Sequence, residues 1–522
     1  MFRLDRVARW KHRGRMSAFI DRHRDIIRGV LGCYDRVVVQ GTLPGICYAE
    51  GMTGVLDSRK IRIFDYPRFA EPFRDAIRAD TDKVAAAGGV TIEFIRKIKG
   101  FRKEDRIQQI IAERGGHPGL VHIFSAMEAC MSYKPWHNKV TGQTFLRYDT
   151  GKCVHYYFYF IDPILGLCYL RIPTWCPFRA QLYFNGHNWL ASKLRARKID
   201  FEMLDNAFAS IADWGRAQSI SDEFNVSELH SILDAAVARY CPALAPFGRY
   251  HWSIMQVEYA TDIVFRSIDD LHPLYDHLSR TAIHAIKAAD VATFLGRSLT
   301  SRSEQEAGAS FSTRIEGTRV RHYFGPASIK MYDKHGFILR VETTANDVTF
   351  FHHHRTVEQK DGKRVMKLAP VKKSIYSLAP DLISLLAAAN DRYLQFLSSI
   401  DDPTPGLKTL NKLATSVQEG LHTYRGFNFF DDDDQTMFET LCRGEFLISG
   451  IRNKTLRQHL ASHKPAQVSR LLKRLRLHGI LKKVGKTYKY YLTELGRHVA
   501  VAGLTLKTMF LVPEFASAVL VY

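Results

Sequence analysis

The spacing of apolar and polar residues changes period several times along the 522 residues, and each change predicts a different kind of element. In residues 34–124, short apolar runs bounded by Gly or Pro alternate with longer amphipathic stretches, which favours strands alternating with helices. The predicted strands are 34–45, 61–64, 90–95 and 120–124, and the predicted helices are 66–87 and 102–114. Strand, helix and strand in succession are typical of an α/β region.

Residues 153–175 are unusually rich in aromatic side chains. C-V-H-Y-Y-F-Y-F-I-D and L-C-Y-L-R-I-P-T-W flank P-I-L-G, a pattern that predicts a β-hairpin. Such a hairpin can form a stacking platform for unpaired bases, or its rings can simply fill a core, and the sequence leaves both open. Residues 200–300 have a mostly helical pattern, with predicted helices at 201–217, 227–240, 268–278 and 291–295.

Strand patterns return after residue 313. Residues 328–332 and 337–343 alternate around D-K-H-G, whose Asp and Gly suit a tight turn, so this pair predicts a second hairpin. A helix is predicted at 379–397, and D-D-P-T-P-G at 401–406 ends it and is typical of a linker.

Residues 446–493 predict helix, basic helix, basic hairpin and helix. The first helix is 454–460. The second, at 465–479, has an apolar stripe and ends at Gly479, which suits a left-handed stop. A hairpin is predicted around Gly485 and Lys486, and Thr493 suits the N-cap of the last helix. This order is that of a winged helix-turn-helix.

Positive charge is concentrated in two stretches of the chain. Of the net charge of +21, residues 1–30 carry +6 and residues 446–493 carry +12, with twelve Lys or Arg and no acid. Residues 31–445 together carry only +3. Twelve uncompensated charges repel one another unless a polyanion neutralises them, so the second stretch predicts nucleic-acid binding. Domains of this kind also mediate protein contacts, which the missing acids disfavour.

Residues 448–499 resemble the winged-helix domain of MarR-type regulators, down to L-T-E-L-G-R after the hairpin. The resemblance implies that 465–478 lies in the DNA major groove and that the wing, 482–489, touches the backbone or minor groove. The predicted DNA-binding residues are Lys454, Arg457, Lys464, Gln467, Ser469, Arg470, Lys473, Arg474, Arg476, Lys482, Lys483, Lys486 and Lys489.

These patterns predict an α+β multidomain chain with an N-terminal α/β region, a central antiparallel β-rich domain and a C-terminal winged helix-turn-helix. The predicted domains are a basic arm and α/β body with the aromatic hairpin at 1–245, a helical plus β-hairpin domain at 246–400, a linker at 401–434 and the winged helix at 435–510.

A second resemblance lies in the hairpin at 328–343. The K-x-Y-D-K…L-R-x-E segment of plasmid and phage replication initiation proteins is similar to Lys330, Tyr332, Asp333, Lys334, Leu339, Arg340 and Glu342. That family nicks one DNA strand with a tyrosine, requires a divalent metal and often pairs its catalytic core with a winged helix. The resemblance therefore implies strand cleavage that depends on Mg²⁺ or Mn²⁺.

The nicking fold holds its metal with a His-hydrophobe-His pair and places its tyrosine on a later helix. The candidate ligands are His352 and His354, although the residue between them is His353. The candidate nucleophile is Tyr393, in A-A-A-N-D-R-Y-L-Q-F-L. The same residues have a structural explanation, in which the histidines form an exposed polar strand end and Tyr393 is a packing position of an amphipathic helix.

Carboxylates offer other metal ligands. Asp35 begins a predicted central strand, close to where RNase H-like nucleases place a ligand, although theirs usually lies inside the strand. A site on adjacent strands can be formed by Glu316, Asp333 and Glu342, and charge pairs with nearby Lys and Arg explain these acids as well.

We therefore carry three hypotheses. The first is a DNA-binding protein of replication-initiator or mobile-element type, with metal-dependent strand cleavage as its chemistry. The second is a non-enzymatic winged-helix transcription regulator, and the third is an RNA-binding protein. Duplex DNA is the expected partner, with single-stranded DNA or RNA as further candidates and a homodimer as one possible state. The eight single cysteines and the absence of a visible signal or membrane span predict a cytoplasmic protein.

Overall fold

The structure, a computed structural model, contains two compact units, Met1–Asp401 and Asp402–Tyr522. It describes residues 17–95, 101–299, 307–314, 317–359, 361–401, 403–443, 445–446, 450–460, 463–485, 487–507 and 512. Most of the predicted basic arm, together with Glu316 and Lys486, lies outside the described residues. Helices and a large mixed sheet confirm the predicted α+β class.

One eleven-stranded sheet forms the centre of the first unit. Its strands are β1 (Ile27–Thr42), β2 (Ile92–Phe94), β3 (Gly119–His137), β4 (Thr144–Asp162), β5 (Gly166–Pro173), β6 (Ala180–Phe184), β9 (His251–Phe265), β10 (Ala307–Arg314), β11 (Gly317–Phe324), β12 (Ala327–Lys334) and β13 (Ile338–Ala345). Their spatial order is β10-β11-β12-β13-β9-β1-β6-β5-β4-β3-β2. Two further hairpins are β7 (Phe201–Leu204) with β8 (Ala207–Ile211), and β14 (His352–Glu358) with β15 (Arg364–Pro370). Only β2 and β3 pair in parallel in the described sheet.

Helices cover parts of this sheet. They are α1 (Ser17–Arg22), α2 (Ala49–Ser58), α3 (Tyr66–Ala87), α4 (Lys103–Arg114), α5 (Gly186–Ala196), α6 (Trp214–Asp222), α7 (Val226–Tyr240), α8 (Ile268–Ala285), α9 (Ala288–Phe294) and α10 (Ile383–Asp401). Asn390 of α10 donates to the side-chain hydroxyl of Thr261 at 3.1 Å, which places α10 on the face that carries the odd-numbered residues of β9. Leu339 and Val341 are fully buried on the matching face of β13. This face is the hydrophobic core of the unit.

The opposite face of the central strands is polar. Because side chains alternate along a strand, the even-numbered residues of β12 and β13 share this face. Cross-strand pairing places Lys330 beside Glu342, and Tyr332 beside Arg340. Arg340 in turn pairs with Asp262 of β9. Charged groups on three neighbouring strands therefore lie next to one another.

Several predicted elements are confirmed and others are corrected. The predicted helix at 66–87 is present as α3. The two predicted hairpins are present as β4–β5 and β12–β13. Residues 61–64 do not form a strand, because Ile63–Asp65 is a 3₁₀ turn. The predicted helix at 201–217 is the β7–β8 hairpin followed by α6, because Asp205 turns the chain with a φ of 53°. The predicted helical region 200–300 also contains β9.

The predicted boundary between 245 and 246 does not separate compact units. β9 is hydrogen-bonded to β1 on one side and to β13 on the other, so the sheet joins the two predicted domains. The predicted linker 401–434 also contains regular structure, including a helix at Pro403–Ala414. The boundary between the units lies after Asp401.

The second unit has its own apolar core. Its elements are α11 (Pro403–Ala414), β16 (Val417–Glu419), β17 (His422–Tyr424), α12 (Asp432–Leu441), α13 (Asn453–His459), α14 (Pro465–Leu477), β18 (Leu481–Lys483), β19 (Tyr490–Leu492) and α15 (Glu494–Thr505). The predicted stripe of α14 packs inward through Val468, Leu472 and Leu475. Thr493 accepts from the Gly496 amide at 2.9 Å, as expected of an N-cap. The predicted order of helices and hairpin is present.

Each described helix is too short or too polar to cross a lipid bilayer.

Candidate functional site

A β-bulge in β1 points Asp35 into the polar face of the sheet. Tyr34 pairs with Tyr259 and Arg36 pairs with Glu258, so Asp35 is the extra residue between two regular pairs. Bulges redirect a side chain and are frequent beside active sites. Asp35 is 8% exposed and accepts from Asn185 Nδ2 at 3.3 Å and from Asn206 Nδ2.

Arg340 connects Asp35 to Asp262. The guanidinium is 0% exposed and donates to both oxygens of Asp262 at 2.7 Å, and it reaches Asp35 Oδ1 at 3.2 Å. His187 lies 3.3 Å from Asp35 and 3.7 Å from Asp262. Burial by itself would raise the pKa of each acid, but the charge of Arg340 and then His187 outweigh burial. The pKa of both acids is therefore lowered, and that of Asp262 falls to about 2.

A second set of charges adjoins the clamp that Arg340 forms with Asp35 and Asp262. Lys330 Nζ lies 2.7 Å from Glu342 and 3.1 Å from Glu258. The Tyr332 hydroxyl donates to Glu342 Oε2 at 3.1 Å. Burial, followed by the nearby Glu258 charge, raises the pKa of Glu342 to about 7. Burial raises the pKa of Tyr332 well above its usual value, so its hydroxyl is neutral at pH 7.

Asp35, Glu258 and Glu342 form a group of carboxylates that fits a divalent cation. One oxygen from each residue lies within 4.8 Å of the others. Oxygen ligands are those that Mg²⁺ and Mn²⁺ prefer. Burial and then the Glu258 charge raise the pKa of Glu342, and a bound cation would relieve the repulsion between these two acids. Lys330 already contacts both of them, and Arg340 contacts Asp35.

The predicted nucleophile Tyr393 is part of the core. It is 0% exposed, and its ring contacts Phe294 and His322 with centroids 5.5 and 5.9 Å apart. Its hydroxyl has no hydrogen-bond partner among the described residues, and burial raises its pKa. A hydroxyl sealed in this way has no access to a DNA phosphate, so Tyr393 is a packing residue. The amphipathic pattern of its helix reflected this packing.

The histidine pair is not arranged as a metal site. His352 and His354 lie on β14, outside the large sheet. Arg297 Nη1 lies 2.9 Å from His352 Nδ1 and places a positive charge beside that nitrogen, and among the described residues no His, Cys, Asp or Glu joins the pair in a metal-binding group of three. Asp333 is also separated from Glu342, because it faces the opposite side of β12 from Tyr332.

Sequence reasoning missed the two acids of β9. Glu258 and Asp262 lie in β9, within the region whose pattern predicts mostly helices, and the predicted site residues do not include His187 or Asn206. Trp252, Ile254, Val257 and Tyr259 are buried along β9. Apolar positions at intervals of two and three residues, rich in β-branched and aromatic types, would have favoured a strand. Its polar face was the signal for a site.

In the second unit, most of the predicted DNA-binding cations are exposed. Those with exposed side chains are Lys454, Arg457, Lys464, Arg470, Arg476 and Lys482, while Lys473, Lys483 and Lys489 are half-buried. Gln467 and Ser469 are exposed on α14, although Gln467 accepts from the Lys464 amide and Ser469 from Asn453. The structure therefore leaves a positively charged surface on α13, α14 and β18.

Arg474 belongs to the interior of this unit and not to its surface. Its guanidinium forms a two-pronged pair with Asp434 at 2.7 and 2.8 Å and stacks over Phe427 at 4.0 Å. It also donates to the carbonyls of Arg425 and Gly426. Arg474 is therefore excluded from the predicted DNA contacts, because every part of its charged end already has a partner in the core.

An acid from outside the basic stretch also reduces its charge. Glu419 of β16 lies 2.6 Å from Lys473 and 3.3 Å from Arg476. Both pairs are exposed, so water and salt screen them and DNA phosphates can compete for the cations.

No family model matches the chain, and no curated protein matches it. Among solved structures, it is similar to a chain described as the rolling circle replication initiator protein from Geobacillus stearothermophilus, with 10% identity and a TM-score of 0.17. The match covers 61% of this chain and 74% of that chain. A TM-score this low supports no conclusion about the fold or function of this protein.

Proposed function

We propose that the protein is a DNA-binding protein of replication-initiator or mobile-element type. In this proposal the second unit binds duplex DNA and the first unit cleaves one strand in a metal-dependent reaction. The observation that carries the proposal is the convergence of Asp35, Glu258 and Glu342 beside the hydroxyl of Tyr332.

Tyr332 is the proposed nucleophile in place of Tyr393. Its oxygen attacks the phosphorus of a phosphodiester while its proton passes to Glu342, which already accepts its hydrogen bond. The bond from phosphorus to the 3′ oxygen breaks, water protonates that oxygen, and the 5′ phosphate stays joined to Tyr332. A covalent intermediate divides one difficult hydrolysis into two easier transfers.

The three carboxylates are the proposed ligands of Mg²⁺ or Mn²⁺, which supplies charge stabilisation at the scissile phosphate when bound. Arg340 holds Asp35 in its ionised form, because the guanidinium lowers the pKa of that acid. Lys330 lies between Glu258 and Glu342 and offers a positive charge to the phosphate.

Nicking of supercoiled plasmid tests this proposal. Wild-type protein is expected to nick with Mg²⁺ or Mn²⁺ and to stop when EDTA is added. Glu258→Gln and Glu342→Gln are each expected to reduce the rate by about 10²-fold or more, because each loses a charged ligand or base. The matched control is Glu358→Gln, an exposed acid of β14. Metal-independent nicking, or full activity of both variants, would reject the metal site.

Duplex binding is proposed for α13, α14 and the β18–β19 hairpin, in the manner of a winged helix of MarR type. We expect Lys464→Ala with Arg470→Ala to weaken duplex affinity and to lower the slope of log K against log salt by about two, one for each lost phosphate contact. Fluorescence anisotropy over a salt series measures the slope. Arg497→Ala on α15 is the control, since it removes an exposed arginine from another helix. An equal effect of the control would mean that net charge alone drives binding.

A non-enzymatic winged-helix regulator is the second candidate, favoured by the exposed cations of the second unit. An RNA-binding protein is the third. Duplex binding without nicking by a metal-loaded protein would favour the regulator.

A further inference from the structure

Three tyrosines form a row across neighbouring strands of the first unit. Tyr159 of β4 pairs with Tyr169 of β5, and Tyr169 pairs with Tyr183 of β6. The rings of Tyr169 and Tyr183 are stacked with centroids 5.1 Å apart, and those of Tyr159 and Tyr169 are 5.4 Å apart. Directly paired residues project from the same face of a sheet. Tyr159 is buried, with 3% exposure, so the half-buried Tyr169 and Tyr183 are the part of the row that a ligand can contact.

This row leads to the carboxylate site. The Arg36 guanidinium lies 4.9 Å over the Tyr183 ring, and Arg36 is paired across the strands with Glu258. At the same end, Asn206 bonds Asp35. The aromatic row and the proposed catalytic residues therefore lie on the same face of the sheet.

The row lies in a cleft of about 720 Å³. α4, α5 and the β7–β8 turn form its walls, and Gln108 and Asn188 present side-chain amides to it. Its volume is within the range of roughly 300–1,000 Å³ that holds small ligands. Rings, amides and a guanidinium are the groups that contact a nucleobase by stacking and by hydrogen bonds to its edge.

The charge of the cleft limits the length of the ligand. Two arginines line it, Arg36 and Arg195, together with four acids, Glu104, Asp105, Asp162 and Asp205. A groove that follows a long strand is positive throughout, whereas this mixed lining repels a run of phosphates. It suits a single nucleotide, with the base against Tyr169 and Tyr183 and the phosphate toward Arg36.

We infer that this cleft binds one unpaired nucleotide of a DNA strand next to the phosphate that is cleaved. The inference rests on the proposed function and adds the form of its substrate. A base within a duplex is stacked on both faces and cannot enter the cleft, so the strand must be single-stranded at this position. The second unit contacts duplex DNA, and this cleft contacts an exposed base.

Photocrosslinking with the full chain tests the inference. The probe is a single-stranded oligonucleotide containing 5-iododeoxyuridine, used with EDTA so that cleavage does not interfere. The crosslink is expected on peptides containing Tyr169 or Tyr183, and the duplex form of the probe is expected not to label them. Crosslinks confined to other peptides would overturn the inference.

Affinity measurements provide a second test. Tyr183→Leu is expected to weaken binding of the single-stranded oligonucleotide at least about fivefold, since base stacking contributes roughly 1–3 kcal/mol. Asn188→Trp, which fills the cleft without removing a ring of the row, is expected to weaken it as well. The control is Tyr376→Leu, a half-exposed tyrosine outside the cleft.

The variants separate this inference from the proposed function. If Tyr183→Leu does not fold, as judged by circular dichroism, Asn188→Trp decides. If folded Asn188→Trp binds the single-stranded oligonucleotide with wild-type affinity, the inference that the cleft binds a nucleotide is overturned, even when plasmid nicking continues. A crosslink in the cleft supports the inference even when the protein does not nick DNA, in which case only the proposed cleavage fails.

Discussion

Tyr332→Phe is expected to abolish both strand cleavage and covalent attachment of the protein to DNA. The ring keeps its place on β12, but the hydroxyl that donates to Glu342 at 3.1 Å is gone. Without this nucleophile the first transfer cannot occur, so we expect a loss of about 10³-fold or more in nicking rate. Denaturing electrophoresis of end-labelled DNA detects the adduct, and duplex affinity is expected to stay at the wild-type value.

Tyr393→Phe is the matched control. It removes the same atom from a tyrosine that is fully buried in the core. Because that hydroxyl has no partner among the described residues, its removal is expected to leave cleavage and folding unchanged. Loss of the adduct in Tyr393→Phe but not in Tyr332→Phe would restore the sequence-based assignment and reject the one proposed from the structure.

Arg340→Met is expected to destabilise the first unit by about 3–5 kcal/mol at neutral pH, the usual cost of leaving a buried charge without its partner. Methionine occupies similar space but leaves Asp35 and Asp262 side by side without the guanidinium that both contact. Calorimetric unfolding measures the change, and a lower transition temperature for the first unit is the expected result.

Arg364→Met serves as the comparison, because Arg364 is exposed on β15 and its pair with Glu358 is 3.6 Å long. Exposed pairs contribute roughly 0–1 kcal/mol, so this variant is expected to unfold like the wild type. A similar small effect for Arg340→Met would show that the two acids take up protons at little cost. The clamp would then not be what keeps Asp35 ionised.

Local patterns predicted much of the second unit. The apolar stripe of α14, the stop at Gly479 and the cap at Thr493 are properties of neighbouring residues, and all three are present. Charge was less predictable. Counting the Lys and Arg residues of the basic stretch treats Arg474 as one more surface cation. In the structure Asp434, forty residues earlier in the chain, binds Arg474 in the core.

The first unit was harder to predict because its sheet is assembled from distant segments. β9 lies between β1 and β13 although more than two hundred residues separate β1 from β9. Its apolar positions match a helix and a buried strand almost equally well, and only pairing on both sides distinguishes them. Without β9, the sequence pattern does not place Glu258 or Asp262 beside Asp35, and His352 and Tyr393 are the candidates that it offers instead.

The sequence by itself determined the mixed class of the fold, the order of helices and hairpin near the C-terminus, and the concentration of positive charge there. These features depend on residues within a few positions of one another, so periodicity, caps and composition report them directly. The tertiary structure alone decided which charges meet. Asp35, Glu258 and Glu342 come from three strands far apart in sequence, and sheet register together with one bulge brings their oxygens within 4.8 Å. Burial, which is equally invisible in the sequence, separated Tyr332 beside these acids from Tyr393 in the core.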